Sequence, residues 1–578
     1  MSSIGDDRAG GSPAVGPASG LAGDILVDGT ELARRYQQIE ALPRGQYFRP
    51  GPSQTGDLVG FAAVADDLPR PWVAGRPDLT ACYQTCLRLL FAHRRPPVAG
   101  SGLVRPYLDP AFNGNLFAWD TAVMVLFARL LQPWLPAVGS LDNFYARQFA
   151  DGEICREING TTGLDVPWWV NVGGDGLYSF FHEAYGFRQL KSRAPGVRIE
   201  STWHPDLERR PAATPWLTLD GLNNPLFAWA ELESYRQSGD LDRVERVVPP
   251  LMAYFAALDD QLRHRCGLYV TDWASMDNSP RNAYLGFGVD TACQMVLFAD
   301  NLLELGGILR RAGREAPLDV ALLERRRAEV STVVNDLMWD EDRGFYFDLD
   351  RSLRRGPVRT AAAFWSLISA VAPPARAARL VAALRDPSAF ARPHPVPCLA
   401  ADEPGYVAEG GYWRGGVWAP VNAMVVAGLE RAGHAELARQ IATSHVDWLA
   451  RVHQTESTVF EYYSPETLGP GANDHRDFVG WSGLGPIGFF MTHVIGLTGD
   501  AETRTLTWRL PADRVACGID HYWFAGQQLS LRAEPGPTGW LVDVEGGAGL
   551  TLEVRHPSRT VRRDLGGHQR FGLIADPV

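Results

Sequence analysis

The chain has 578 residues, 46% hydrophobic and 21% charged, the composition of an ordinary water-soluble protein. With 55 Lys and Arg against 67 Asp and Glu, its formal net charge of -12 argues against nucleic acid as a partner. It is long enough for one large core with a smaller appendage, and no run of the sequence reaches the roughly 18 apolar residues of a membrane span.

The first twenty residues, MSSIGDDRAGGSPAVGPASG, are small and polar with no apolar stretch. They read as a disordered tail and not as a secretory signal, which points to a cytoplasmic location. An N-terminal segment over 21–75 leads into a mainly helical region over 76–498. There the 3.6-residue periodicity, punctuated by PP, PG and GG, marks about twelve helices. Their starts fall near 78, 119, 139, 223, 241, 287, 317, 357, 374, 416, 434 and 478. In AELARQIATSHVDWLA, for instance, Leu437, Ile441, Trp448 and Leu449 form one apolar stripe while Glu436, Arg439 and Asp447 point elsewhere. Helices in consecutive pairs predict a toroid of alternating inner and outer helices.

Three stretches break or follow that pattern. The segment 151–222, with WWVNVGGDGLYSFFHEAYGF, is too long for an ordinary connection and reads as an inserted lid or a structural flap. In WDEDRGFYFDLD, Asp340, Asp342, Asp348 and Asp350 lie close together, but their spacing is not that of a calcium-binding loop and predicts a hairpin turn. Over 499–578 the period drops to two in LTWRL, LVDV and LTLEV, the mark of a small antiparallel β module.

Several chemistries lose their support. Lys191 is the only lysine, and the phosphate-loop, G-x-S-x-G, H-E-x-x-H and strand-linked G-x-G-x-x-G motifs are all missing. The seven cysteines are an odd, scattered set, which fits buried thiols in a reducing compartment. Cys82 and Cys86 lie one helical turn apart with no second pair to complete a zinc site, so they read as core, and no metal or cofactor is expected.

Unusual polar and aromatic clusters precede alternate helices. Phe117, Trp119 and Asp120 open the second, and Asn223-Asn224-Pro225 the fourth. The stretch WASMDNSPRN, with Trp273, Asp277, Asn278 and Arg281, precedes the sixth. Tyr412, Trp413 and Trp418, in YWRGGVW, open the tenth, while Glu461 and Trp481 flank the start of the twelfth. Every second helix in a ring of hairpins runs the same way, so these clusters should converge at one end of the toroid.

The order WD, Asn-Pro, MDNSPR, YWRGGVW, Glu-Tyr and W-S-G resembles the (α/α)6-barrel glycosidases of families 63 and 37 over roughly residues 110–495. Those families include processing-type α-glucosidases, trehalases and the hydrolases of mannosylglycerate and glucosylglycerate. The resemblance implies that Asp277 is the general acid and Glu461 the general base. It further implies that Trp119 and Asp120 hold the non-reducing sugar and that Tyr412, Trp413, Trp418 and Trp481 wall its subsite. The sequence departs from those families at Asn223-Asn224-Pro225, where relatives often carry Gln-Pro-Pro, at Val479, where they carry a polar residue, and in its long insertion.

The chemistry asks for the same residues on its own terms. One carboxylic acid must protonate the leaving oxygen while a carboxylate acts on the opposite face, and a separation of about 6.5–9.5 Å leaves room for a water and gives inversion. Burial against Met276 and Trp273 would keep an acid at 277 protonated, and Tyr462 and Tyr463 offer a base at 461 a polar setting. Trp side chains suit the C–H faces of a sugar, with Asp120, Asn278 and Arg281 for its hydroxyl edges. Plainer readings compete: Asp277 as a helix cap or Asx turn, Glu466 as the base, Trp119 and Trp418 as core. The expected ligand is a small soluble α-linked saccharide, cleaved by an inverting α-glucosidase-like enzyme or, failing that, held by a silent sugar-binding relative.

Overall fold

Clusters of apolar residues at helical spacing form a ring of paired helices in the computed structural model. It describes residues 44–51, 58–135, 137–150, 152–163, 224–264, 266–269, 276, 278–281, 286–350, 352–472, 474–511, 515–536, 539–556 and 559–574. The predicted tail and nearly all of the predicted insertion lie outside the described residues. Six helices begin at or just after the predicted clusters and their equivalents: α2 (Ala118–Ala128), α4 (Phe227–Ser238), α6 (Val289–Arg311), α8 (Trp365–Ile368), α10 (Ala419–Arg431) and α12 (Gly485–Val494). Between them run α1 (Pro77–Ala92), α3 (Gly139–Arg147), α5 (Leu241–Leu262), α7 (Val320–Val333), α9 (Pro374–Arg385) and α11 (Ala435–Glu456).

Burial distinguishes the extremes of the two sets. Ten of the 11 residues of α2 are buried, whereas α7 buries only Leu323 and Val330, and α9 only Leu380, Val381 and Leu384. A helix apolar all round belongs inside, and one with a single stripe belongs outside. The inner helices touch in sequence: α2 on α4, α4 on α6, α6 on α8, and α8 on α10. The short 3-10 turn Trp481–Leu484, which feeds α12, packs on both α10 and α2 and so brings the circuit back to its start. Among the described helices α6 is long and apolar enough on average to cross a membrane, although charged residues interrupt its apolar run, and 78% of its most apolar window is buried inside the structure.

Local chemistry sets the helix ends. Asp240 accepts the Arg243 N–H at 2.9 Å and Asp319 the Leu322 N–H at 2.9 Å, capping α5 and α7. Two inner elements depart from regular helix. The eighth begins as a 3-10 turn, Ala361–Phe364, and α12 is wound as a π-helix through Gly485, Pro486 and Gly488. Cys82 and Cys86 are buried on α1, and WDEDRGFYFDLD is a hairpin with Trp339–Asp340 paired to Phe345–Tyr346.

The β module holds two sheets built from β1 (Arg70–Val73), β2 (Leu497–Asp500), β3 (Thr505–Arg509), β4 (Cys517–Phe524), β5 (Gln527–Gly536), β6 (Gly539–Gly546), β7 (Thr551–His556), β8 (Arg559–Asp564) and β9 (Gln569–Ile574). One sheet has the order β1-β4-β5-β6-β9, the other β8-β7-β3-β2. Two features differ from the expected antiparallel module. The N-terminal segment lends it the edge strand β1, with Trp72 opposite Gly518, and β7 lies parallel to β3. Period-two alternation marks a strand but is blind to its partner and direction.

Candidate active site

The N-terminal ends of the inner helices converge on a cavity. Trp119, Asn224, Met276, Asp290 and Trp413 line it at those ends. The next turns contribute Val123, Trp229, Gln294, Trp365 and Met424. Clusters separated by hundreds of residues therefore meet at one end of the ring, as the alternation of helix direction requires. Asn223, Trp273 and Asp277 lie outside the described residues. The residues around 277 are placed: Met276 lines the cavity, and Asn278 reaches the YWRGGVW loop, its Oδ1 accepting the Trp413 N–H at 2.9 Å and its Nδ2 donating to the Gly411 carbonyl at 3.2 Å.

An aromatic stack builds one wall. Trp413 lies flat on Trp418, with centroids 4.1 Å apart and planes within 3°, and Trp418 lies on Tyr462 at 4.7 Å. Trp481 meets Trp418 edge-on at 5.5 Å and continues to Trp119 at 5.0 Å. Trp418 is 0% exposed, which corrects its assignment to the sugar subsite: it backs Trp413, which lines the cavity. The Trp481 indole N–H is likewise committed, donating to the Glu461 carbonyl at 2.8 Å. Phe117 stands behind Phe112, at 5.4 Å, and Phe112 in turn packs on Trp481; in the sequence Phe112 is only an isolated aromatic, with no motif to mark it.

The YWRGGVW loop needs its unusual residues. Tyr412 has φ +60 and Gly415 has φ +123, both in the left-handed region. A Cβ on Gly416 would fall 2.5 Å from the Tyr412 carbonyl oxygen and 2.8 Å from the Tyr462 ring, so only glycine lets the loop close on the stack.

Arg281 lies deeper than expected of a sugar ligand. Its side chain is fully buried between two carboxylates. Nη1 and Nη2 donate to Asp290 at 2.7 and 2.8 Å, and Nε and Nη2 donate to Asp348 at 2.8 and 2.6 Å. Its guanidinium clamps these two carboxylates together. Asp348 further accepts the Val289 N–H at 2.9 Å, at the start of α6. Asp120 is buried in the first turn of α2, and Asn224 is buried just before α4.

Glu461 is 6% exposed, on a segment whose backbone N–H donates to the His475 carbonyl at 3.1 Å. Its rival Glu466 is committed: Arg392 donates to its two oxygens at 2.6 and 2.8 Å and the Tyr406 hydroxyl at 2.6 Å, which holds it below the usual carboxylate range. Beside Glu461 lies a carboxyl that sequence reasoning missed. Asp474 accepts the Tyr462 N–H at 3.2 Å, the Gly471 N–H at 3.3 Å and the His475 N–H at 2.6 Å. Burial pushes it up to about 8 against the downward pull of those N–H groups. Burial, with Asp474 and Glu461 nearby, also raises the Tyr462 phenol.

Several known proteins are similar to this chain. The family model described as the mannosylglycerate hydrolase MGH1-like glycoside hydrolase domain matches residues 201–482. An uncharacterised protein of Borreliella burgdorferi is 27% identical over 340 residues, 56% of this chain and 70% of that protein. A mannosylglycerate hydrolase of Rubrobacter radiotolerans is 29% identical over 192 residues, 33% of this chain and 42% of the hydrolase, so the match spans less than half of that relative. Among solved structures, the family 63 mannosylglycerate hydrolase of Thermus thermophilus in complex with glucose aligns at TM-score 0.51 and 21% identity, covering 71% of this chain and 100% of that one.

Proposed function

We propose that this chain, a glycoside hydrolase like those of family 63, removes one terminal glucosyl or mannosyl unit from a small soluble α-glycoside with inversion of configuration. The ring of helices is read as the six-hairpin (α/α)6 toroid, and a pocket at the end of such a toroid favours a single terminal sugar. One observation carries the reading: four segments distant in sequence deliver Trp119, Asn224, Met276 with Asp290, and Trp413 to one cavity, beside the segment that holds Glu461.

In this mechanism Trp119 and Trp413 take the C–H faces of the sugar, and Asp120 and Asn224 its hydroxyls. Asp277 gives its proton to the leaving oxygen, and the apolar Met276 next to it favours the protonated form. Glu461 removes a proton from a water on the opposite face, and Glu466, tied to Arg392 and Tyr406, is no competitor for that role. The substrate class has a second reading, because relatives carry the name mannosylglycerate hydrolase: an α-mannosyl or α-glucosyl glycerate. Trehalose remains a third. The seven free thiols support a reducing compartment, and the cytoplasm is our proposed location.

The test is turnover of trehalose, kojibiose, nigerose, maltose, isomaltose, mannosylglycerate and glucosylglycerate by the purified protein, beside Asp277→Asn and Glu461→Gln. Release of sugar from one substrate, reduced about 100- to 10,000-fold in each variant, is the expected result. Full activity in either variant would remove that residue from its role, and no release by a folded wild type would favour a silent sugar-binding protein.

A further inference from the structure

The cavity carries a polar group that the proposed reaction does not use. Gln294 stands on α6 one turn beyond Asp290, lines the cavity and is only 2% exposed. Its amide oxygen has no hydrogen-bond partner among the described residues. A buried acceptor without a donor is costly enough that native interiors contain few, so one aimed into a cavity needs a reason.

Its surroundings supply one. The side chains that share its depth are carbon-rich: Val123, Trp229, Trp365 and Met424. Asp290, one turn nearer the helix start, has both carboxylate oxygens on Arg281 at 2.7 and 2.8 Å. A sugar seated between Trp119 and Trp413 would push its far edge toward this wall, and a hydroxyl donating there would find no oxygen acceptor among these side chains except Gln294.

We propose that Gln294 is a specificity-determining residue whose amide oxygen accepts a hydrogen bond from the hydroxyl of the terminal sugar that reaches deepest into the barrel. This rests on the glycoside-hydrolase reading of the same cavity. A sugar that lacks this hydroxyl, or presents it in the other configuration, leaves the amide unpaired and is discriminated against, whereas an apolar pocket alone tells such sugars apart poorly. The leaving group lies at the mouth and is untouched by this contact.

The experiment takes the glycoside that the wild type cleaves best, together with its monodeoxy analogues at each free position of the terminal ring. Gln294→Met keeps the length of the side chain and removes its polar atoms; Gln294→Glu keeps an acceptor. The expected result is a loss of about 10- to 100-fold in kcat/KM for Gln294→Met on the parent. On one deoxy analogue the variant should show no loss relative to wild type, and that analogue names the hydroxyl. Gln294→Glu should retain the preference of the wild type for the parent over that analogue. Equal losses on the parent and on every analogue, with an unchanged Tm, would overturn the inference while the glycosidase reading stands. Should Gln294→Met not fold, Gln294→Asn, one methylene shorter, carries the same comparison. A folded wild type that cleaves none of the glycosides fails at the earlier step and takes the inference with it.

Discussion

Arg281 shows what a single residue's partners decide. It sits four positions after the proposed acid, and its guanidinium is locked between Asp290 and Asp348, 9 and 67 residues further on. Removing one member of a buried charge cluster leaves the others unpaired and typically costs about 3–5 kcal/mol. Arg281→Met is therefore expected to lower stability by about that amount in denaturant titration, with a fall in kcat larger than any rise in KM. Unchanged stability would refute the clamp. Asp474 makes a different case. With its carboxyl pushed up to about 8, it carries a proton at neutral pH and gains a negative charge beside Glu461 and Tyr462 as pH rises further. The alkaline limb of kcat/KM is expected near pH 8 in the wild type and is expected to flatten in Asp474→Asn; a limb that persists in the variant assigns it to another group. Asp277 and Glu461 stand out in the sequence because each sits in a short motif with few alternatives. Nothing local to Arg281 announces carboxylates that come from α6 and from a hairpin, and nothing in the sequence around Asp474 marks the burial that sets it apart.

At the scale of elements, α10 and α11 meet around two buried histidines. His394 and His445, both 0% exposed, share a hydrogen bond of 2.8 Å between Nε2 and Nδ1, and Asn422 of α10 lies 3.0 Å from His445 Nδ1. Burial pulls His445 down to about 3 and His394 well below its usual value. Below about pH 6.5 the unfolded chain takes up protons at both sites while the folded chain does not, so stability is whole above that pH and falls as pH drops toward 3. The slope is about 1.4 kcal/mol per pH unit for each histidine. Thermal melts between pH 7 and pH 5 should show a falling Tm in the wild type and a shallower fall in His445→Gln; parallel curves would contradict the assignment. Helix positions were the most legible part of the fold, since α5, α9 and α11 begin at or within a residue of their expected starts. The eighth and twelfth begin further from their expected starts because a 3-10 turn and a π-helix do not keep the 3.6-residue period of an α-helix.

For the whole molecule, ring closure is the property that makes a site from scattered motifs. The circuit of inner helices returns through Trp481–Leu484 to α2, so the first and last motifs in the sequence, Trp119 and Trp481, end 5.0 Å apart. Alternating helix direction was enough to foresee that meeting. It did not foresee the β module's ties to distant chain, because neither β1, from residues 70–73, nor the parallel pairing of β7 with β3 leaves a mark in local alternation. The cavity at that end of the ring carries the central claim, that a proton donor at 277 and a base at 461 act on opposite faces of one sugar. The most direct measurement is the configuration of the first sugar released, followed by NMR of the anomeric proton during the first minutes of turnover, before mutarotation equalises the two forms. The account requires the terminal sugar of an α-glycoside with a non-sugar leaving group such as glycerate to appear first as the β-anomer; early release of that sugar as the α-anomer would mean retention and would contradict it.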